Sequence, residues 1–402
     1  MAKREKFDIA VVGAGPAGLG FARALEGSGI SVCIIEGLSE AVLAAPPEDG
    51  RDIALTHTSE KLMRDLGIWE KIDESRIGTI RDAKVMNGAS PYALQFEAKA
   101  AGAEYLGRIL PNDAIRRASF EAVDGQENVM LIAGQQVENA RILPGHGEFD
   151  LSDGRCIEAK LLIAADSRFS TIRRKLGLAA DSLDFGRTVI VCEMSHTEPH
   201  DDTAFECFHY DQTLAILPMV GNVSSVVVTL PTTRAEEVMN LSDEDFAAEI
   251  EQRFEGRLGK MTLVSPRHPY PLVAVLARKF VAPRIALVGD AAVGMHPVTA
   301  HGYNLGLSGG TLLAEALVRA KKRGMDLGDL TVLKEYEAAH RRVVLPLYHG
   351  TNAIVRLFTD TRPPARFLRD AALRLGNILP PVRNRILNKL TEIEGHAKAK
   401  ST

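Results

Sequence analysis

Two glycine-rich turns and a few strand-end acids carry most of the chemistry this 402-residue chain offers. Gly13-x-Gly15-x-x-Gly18 follows the apolar run Phe7–Val12 and opens a helical stretch. That order suits a pyrophosphate. The first glycine makes a tight turn, the second lets backbone approach phosphate oxygens, and the third lets helix pack closely on strand. Pro16 and Ala17 start the helix, whose first N–H groups carry partial positive charge. Glu36 closes the next apolar run, Val32–Ile35, where its carboxylate can accept hydrogen bonds from a ribose diol. The motif alone does not separate NAD from FAD. Asp166 and Gly289-Asp290 each follow a further apolar run, and a carboxylate fixed at a strand end can hold hydroxyl groups. His57, His209, His268 and His349 show no metal-like spacing and no nucleophile partner, so no metal site is expected. No nucleophile elbow, P-loop or HExxH helix is present.

Positioning these groups takes a strand–helix–strand unit. The pattern predicts Phe7–Val12, a helix to about Ser28 ended by Gly27 and Gly29, and Val32–Ile35. Pro46-Pro47-Glu48-Asp49-Gly50 marks a loop, followed by a helix from near Thr58 to Leu66 and another from near Asn112. Glu148–Ala165 reads as a hairpin about Asp153-Gly154 that runs into a buried strand at Leu161–Ala164. Arg187–Ser195, Phe205–Tyr210, Thr213–Met219 and Val223–Leu230 predict a mostly antiparallel sheet. Arg284–Val288 returns to a buried strand, and everything from Tyr303 onward reads as helix. The expected class is α/β: a Rossmann-like lobe split in sequence, an inserted antiparallel β-sheet substrate lobe and a helical C-terminal region. The expected boundaries are 1–180 (with some strands of the substrate lobe), 181–275 (mainly its β-sheet), 276–350 (the return) and 351–402 (C-terminal helices).

Composition narrows the classes. With 46% hydrophobic and 25% charged residues, 34 Gly and 19 Pro, disorder, collagen repeats and coiled coil are excluded. The chain exceeds the ~250–300 residues over which one core grows, which predicts two lobes. A net charge of −4 argues against nucleic acid as partner. Cys33, Cys156, Cys192 and Cys207 form no CxxC and read as reduced thiols in a reducing compartment. Lys3, Arg4 and Lys6 imitate a signal peptide's basic start, but Asp8, the glycine turn and Pro16 interrupt the apolar run. Residues 351–402 hold ten Lys+Arg against four Asp+Glu. There Phe367, Leu368, Ala371, Ala372 and Leu375 fall at helical spacing among Arg366, Arg369 and Arg374. Such a stretch fits either an anionic lipid surface or an apolar face packed on the lobe.

Three strings then occur in order: Ala164-Ala165-Asp166-Ser167-Arg168, Gly289-Asp290-Ala291-Ala292, and His296-Pro297-Val298-Thr299-Ala300-His301-Gly302-Tyr303-Asn304-Leu305-Gly306-Leu307. Together they resemble the group A flavoprotein monooxygenases, the aromatic hydroxylases of the p-hydroxybenzoate hydroxylase fold. Within these the chain is most similar to the ubiquinone-biosynthesis hydroxylases (UbiH, UbiF, UbiI and UbiM types). That subfamily ends its flavin motif in His-Pro, two small residues and x-Gly-x-Asn-Leu-Gly-Leu. Thr351–Phe358, Pro363-Pro364, Arg369-Asp370 and Pro380-Pro381 resemble its C-terminal signature. The Pro-Val-Thr-Ala-His-Gly string resembles the UbiM branch most.

The resemblance implies FAD as cofactor, so that the Rossmann-like lobe is an FAD-binding lobe. Asp290, with Gly289, would hold the ribityl hydroxyls, and Pro297 would sit beside the isoalloxazine ring. Gly302, Tyr303, Asn304 and Leu305 would open a helix whose N–H groups face the flavin N1/C2 carbonyl edge, stabilising the anion of reduced flavin. Arg51 and Asn112 would contact the cofactor, and Asp166 would serve it too. Reduced flavin would react with O2 to give a C4a-hydroperoxide that hydroxylates a polyprenylated phenol or quinol, as in 5-demethoxyubiquinol-type ring hydroxylation. No protein side chain is then required as acid or base; Pro297 and His301 are the contributors to consider. NAD(P)H or a protein donor would supply electrons. Other ubiquinone-biosynthesis proteins would be partners, and a cytoplasmic chain in peripheral contact with the inner face of the membrane would meet a lipid substrate. Five positions depart from the family pattern: Ser167 replaces a glycine, Val293 a histidine, Ala300 a glycine, His301 a glutamine and Ser308 an acid. Ser167 bears on backbone shape and on the approach of NAD(P)H. His301 reads either as a group touching substrate or oxygen or as a helix-capping residue. Two other classes stay open: an FAD-dependent reductase or dehydrogenase of an isoprenoid lipid, and a non-catalytic FAD-bound member of a quinone-synthesis complex.

Overall fold

The computed structural model describes residues 4–87, 93–209, 212–296, 301–359 and 391–392. Pro297 and the basic amphipathic stretch lie outside them.

The apolar runs near the N-terminus form the centre of one sheet. Arg4–Val12 lies between Val32–Ile35 and Cys156–Ala164, both parallel to it, and the parallel edges continue to Val129–Ile132 and Ile285–Leu287. Ile9, Ala10, Val11 and Val32–Ile35 are wholly buried, as strands covered on both faces must be. The predicted hairpin is present as His146–Leu151 and Cys156–Ala164, with Val137–Leu143 added at its edge. Because Ile285–Leu287 arrives more than a hundred residues after Cys156–Ala164 yet pairs beside it, the lobe is split in sequence as expected.

Two helix limits differ from the sequence reading. The first helix is Pro16–Arg23, after which the chain tightens into three-residue turns; Gly27 and Gly29, at φ +66° and +70°, cannot continue a right-handed helix. A short helix, Glu40–Ala44, comes next, and the helix expected from near Thr58 is His57–Asp65, because Thr56 caps it by accepting a hydrogen bond from Ser59 N.

The second sheet has nine strands, in the order Val293–Gly294, His268–Ala277, Ala180–His196, Val223–Pro231, Thr213–Pro218, Thr203–Phe208, Asp82–Asn87, Ala93–Glu97, with Met261–Leu263 paired beside Ala180–His196. It is antiparallel except where Thr203–Phe208 runs parallel to Asp82–Asn87. Strand alternation gives it two unlike faces. Ile190, Cys192, Leu214, Ile216, Val226 and Val228 are buried under Thr232–Met239 and Asp243–Arg253, two helices the sequence reading did not anticipate. The opposite face turns toward the parallel-sheet lobe. A small third sheet, Asp52–Leu55, Gly107–Pro111 and Gly78–Ile80, lies between them. The long helices Gly302–Lys322 and Leu330–Thr359 complete the described chain.

Candidate functional site

The glycine turn is clamped at both ends and open in its middle. Gly13 sits at φ +111°, and a Cβ on it would lie 2.4 Å from Ala165 O; at Gly18 a Cβ would lie 2.1 Å from Gly13 O. Around Gly15 nothing comes within 4 Å of that position. Glu36 holds the turn in place: its Oε2 accepts from Ala14 N at 2.8 Å and its Oε1 from Leu38 N at 2.9 Å. Each oxygen keeps a lone pair for a further donor. Pro16 occupies the first helical turn, where its missing N–H costs nothing. Ala17 faces the return of the lobe, and a Cβ on Gly289 would lie 2.8 Å from Ala17 Cβ. The helix Gly302–Lys322 comes equally close, with Gly306 against Gly289 and Ala17.

Asp166 and Asp290 serve differently. Asp166 caps Thr171–Lys175, accepting from the Ser170 hydroxyl, Thr171 N (2.7 Å) and Ile172 N (3.1 Å). It adjoins the glycine turn through its backbone, since its N lies 3.1 Å from the Cβ position of Gly13. Ser167, beside it, has φ +82°, so the backbone keeps the left-handed shape that glycine would take there without strain. Asp290 Oδ2 accepts from Arg168 Nε and Nη2 at 3.3 and 3.2 Å. Its Oδ1 lies 4.0 Å from where a Cβ on Gly302 would be, and so meets the start of the long helix.

At that start His301 is 1% exposed, and among the described residues neither ring nitrogen has a hydrogen-bond partner. The Tyr303 hydroxyl is likewise buried without a partner, and burial pushes its pKa up. The Asn304 side chain is engaged: it donates to Ala54 O at 2.9 Å and accepts from Thr56 N at 3.1 Å. It therefore ties the helix start to Asp52–Leu55, which leaves only its main chain for a ligand. Leu305 is a core residue, 1% exposed.

Arg51 and Asn112 meet at Asp49, a residue the sequence reading treated only as part of a loop. Arg51 Nη2 and Asn112 Nδ2 both donate to Asp49 Oδ2, at 2.6 and 2.8 Å, while Tyr270 OH donates to Asp49 O at 2.7 Å. Burial works to raise the Asp49 carboxyl, but the hydrogen bonds from Arg51 and Asn112 hold it below its usual range. Arg51 is half-exposed, with its guanidinium free to meet a ligand on its other edge. Next to it, burial pushes Asp52 up to about 7, against a hydrogen bond from Ser225 and assisted by Glu193, Asp113 and Asp49. Arg168, which ends one of the quoted strings, was given no role there, because its partner Asp290 lies 122 residues away.

An open cradle at Gly15, a free carboxylate edge at Asp290 and an uncapped helix start with unpartnered polar atoms fit the pyrophosphate, ribityl and ring ends of FAD. These are the parts of a flavin-dependent monooxygenase. A family model described as an FAD binding domain matches residues 6–347. Ubiquinone hydroxylase UbiM of Neisseria meningitidis is 47% identical over 388 residues, covering 96% of this chain and 84% of that protein. Ubiquinone hydroxylase UbiL of Rhodospirillum rubrum is 36% identical over 364 residues, covering 90% and 84%. Among solved structures, p-nitrophenol 4-monooxygenase PnpA of Pseudomonas putida has a TM-score of 0.76 at 21% identity, covering 97% and 99%. PqsL of P. aeruginosa has a TM-score of 0.77 at 20%, covering 89% and 98%. The chain belongs to the FAD-binding-domain family and, within it, to the ubiquinone-biosynthesis hydroxylases.

Proposed function

We propose that this chain hydroxylates the aromatic ring of a polyprenylated phenol or quinol on the way to ubiquinone, using O2 and FAD. The observation that carries the reading is the meeting of the open glycine cradle, the Asp290 Oδ1 edge and the Gly302 helix start. When bound, FAD supplies the activation of O2 and the transfer of one oxygen atom to an electron-rich ring.

The chain's residues would bind and orient. Gly13–Gly18 and the N-terminus of Pro16–Arg23 would hold the pyrophosphate, and Glu36 would take the ribose hydroxyls with its remaining lone pairs. Arg51, oriented by Asp49, and Asn112 would lie along the cofactor. Asp290 would take ribityl hydroxyls, held in place by Arg168. The N–H groups of Gly302–Leu305 would favour negative charge at the ring edge, and His301 would close that end as a buried wall. Electrons would come from NAD(P)H or a protein donor, and Ser167 would set how closely a nicotinamide can approach. Among the described residues no helix is long and apolar enough to cross a membrane. Contact with a lipid surface is assigned instead to the basic residues between 360 and 390, outside the described part.

Mass spectrometry of quinone lipids from a strain lacking the gene tests the reading. A precursor one oxygen short of ubiquinone is expected and would name the ring position; an unchanged quinone profile would count against it.

A further inference from the structure

The inner face of the nine-stranded sheet holds a carboxyl that no role above uses. Glu206 lies on Thr203–Phe208, paired with Ala215 on one side and Val85 on the other. Its neighbours Phe205 and Cys207 point the opposite way, into the core under the helices. Ala204 and Phe208 point the same way as Glu206. They join an apolar cluster with Leu217, Ala54 and Leu357, drawn from the sheet, from Asp52–Leu55 and from the helix Leu330–Thr359. Ala54 is the residue whose carbonyl holds Asn304 at the start of the long helix. The face that carries Glu206 and the end of the cofactor site therefore meet at one residue.

This face is not closed. Val227 and Leu217, on the two central strands, and Glu206 beside them all keep some accessible surface, although the other face of the same strands is buried. Among the described residues Glu206 makes no side-chain hydrogen bond or ion pair, and burial alone pushes its pKa up to about 8. It is a partly open carboxyl on an otherwise apolar stretch of the face. No charge contributes to its shift. Val85, Asn87, Thr213 and Ala215 share its face on the adjoining strands, and none of them titrates. Further along the same face the titrating groups are Glu193 and His268, three and four strands away, and Asp52, which pairs with Ser225. Lys84 over the Phe205 ring, and Arg257 with Glu255 around Cys207, lie on the far side.

Resting on the hydroxylase reading, we propose that Glu206 is the catalytic residue that binds the substrate's ring hydroxyl and takes its proton. The O–H bond of the phenol breaks, an O–H bond forms on the Glu206 carboxylate, and the substrate becomes a phenolate, whose ring is the more electron-rich. The proton returns to an oxygen of the product before release. An ordinary glutamate, with a pKa near 4.3, is a poor base toward a phenol near 10. Dehydration of the Glu206 carboxyl brings the two closer, as a general base requires. The apolar walls from Val85, Leu217, Val227 and Phe208 suit the ring and the start of a prenyl chain.

The test uses FAD-loaded full chain and a phenol carrying one ortho geranyl chain in detergent micelles. The proposal expects the ultraviolet band of a phenolate to appear on binding to the wild type at pH 9, where the carboxylate is formed, and to be absent with Glu206→Gln. It also expects the rate of ring hydroxylation to rise about tenfold between pH 7 and pH 9, a limb that Glu206→Gln removes and Glu206→Asp keeps. A Gln variant with the same phenolate band and pH limb overturns the proposal. A wild type that neither binds nor hydroxylates the phenol overturns the hydroxylase reading beneath it. Should Glu206→Gln fail to hold flavin, the Asp variant and the wild-type carboxylic-acid infrared band decide. Loss of that band on binding the phenol is contrary to the proposal, and its gain above pH 8 supports it.

Discussion

The cofactor cradle and the inner face of the nine-stranded sheet are built on opposite rules. In the cradle, function comes from side chains that are missing: Gly13 and Gly18 let backbones approach to distances no Cβ tolerates, and Gly289 makes room for the Ala17 side chain. On the sheet face, function comes from side chains left partly open: Glu206, Val227 and Leu217 sit on strands whose other face is packed solid. The cradle has nothing to spare and should fail sharply when altered. The open face tolerates volume changes and should fail through chemistry.

The largest effect should come at the clamp. Gly18→Ala places a methyl group 2.1 Å from Gly13 O and should cost about 3 kcal/mol or more, abolishing flavin retention on purification. Retained flavin absorbance would show that the turn yields more readily than its contacts indicate.

Two buried titratable groups, one on the helix Leu330–Thr359 and one on the sheet face, should respond to pH with opposite sign. His340, 1% exposed and stacked on Tyr336, is held neutral by burial, which pushes its pKa down to about 4. The unfolded chain protonates near 6.5, so stability should fall by roughly 3 kcal/mol as pH drops from 6.5 to 4. Glu206 is the reverse. Its raised pKa means the unfolded chain ionises first, so stability should decline as pH rises from about 4.5 toward 8. Urea unfolding across pH checks both, with His340→Leu removing the acid limb and Glu206→Gln the alkaline one.

Asp290→Ala should weaken FAD binding about a hundredfold, close to 2.7 kcal/mol, since it removes a charged acceptor and releases Arg168. Equilibrium titration of the apoprotein with FAD reads this directly. The smallest effect belongs to Ser167→Gly. Relief of a φ of +82° should stabilise the fold by about 1 kcal/mol, seen as a rise of a few degrees in Tm. If Ser167 also restrains the nicotinamide, stopped-flow reduction by NADPH should quicken in the same variant.

The same contrast explains what the sequence made legible. The cradle is written in contiguous residues, because a tight turn, a close approach and a helix start each need a particular residue at a fixed spacing. Gly13–Gly18, Glu36 and Asp290 could therefore be picked out without coordinates. Asn304 was picked out too, but its side chain proved to brace Ala54 and Thr56, a contact that spans about 250 residues. Asp49 escaped notice because its partners Arg51, Asn112 and Tyr270 come from three elements. Glu206 escaped because period-two alternation says only which residues share a face. Which of those faces is left open depends on helices packed from elsewhere, and Thr232–Met239 and Asp243–Arg253 were not foreseen. The α/β class and the split lobe were legible because apolar runs recur on both sides of the inserted strands.

The most direct measurement is turnover of a polyprenylated phenol by the FAD-loaded protein under isotopically labelled O2. The account predicts one labelled oxygen atom in each product molecule, on the aromatic ring. A product that is reduced or dehydrogenated and carries no label would contradict it.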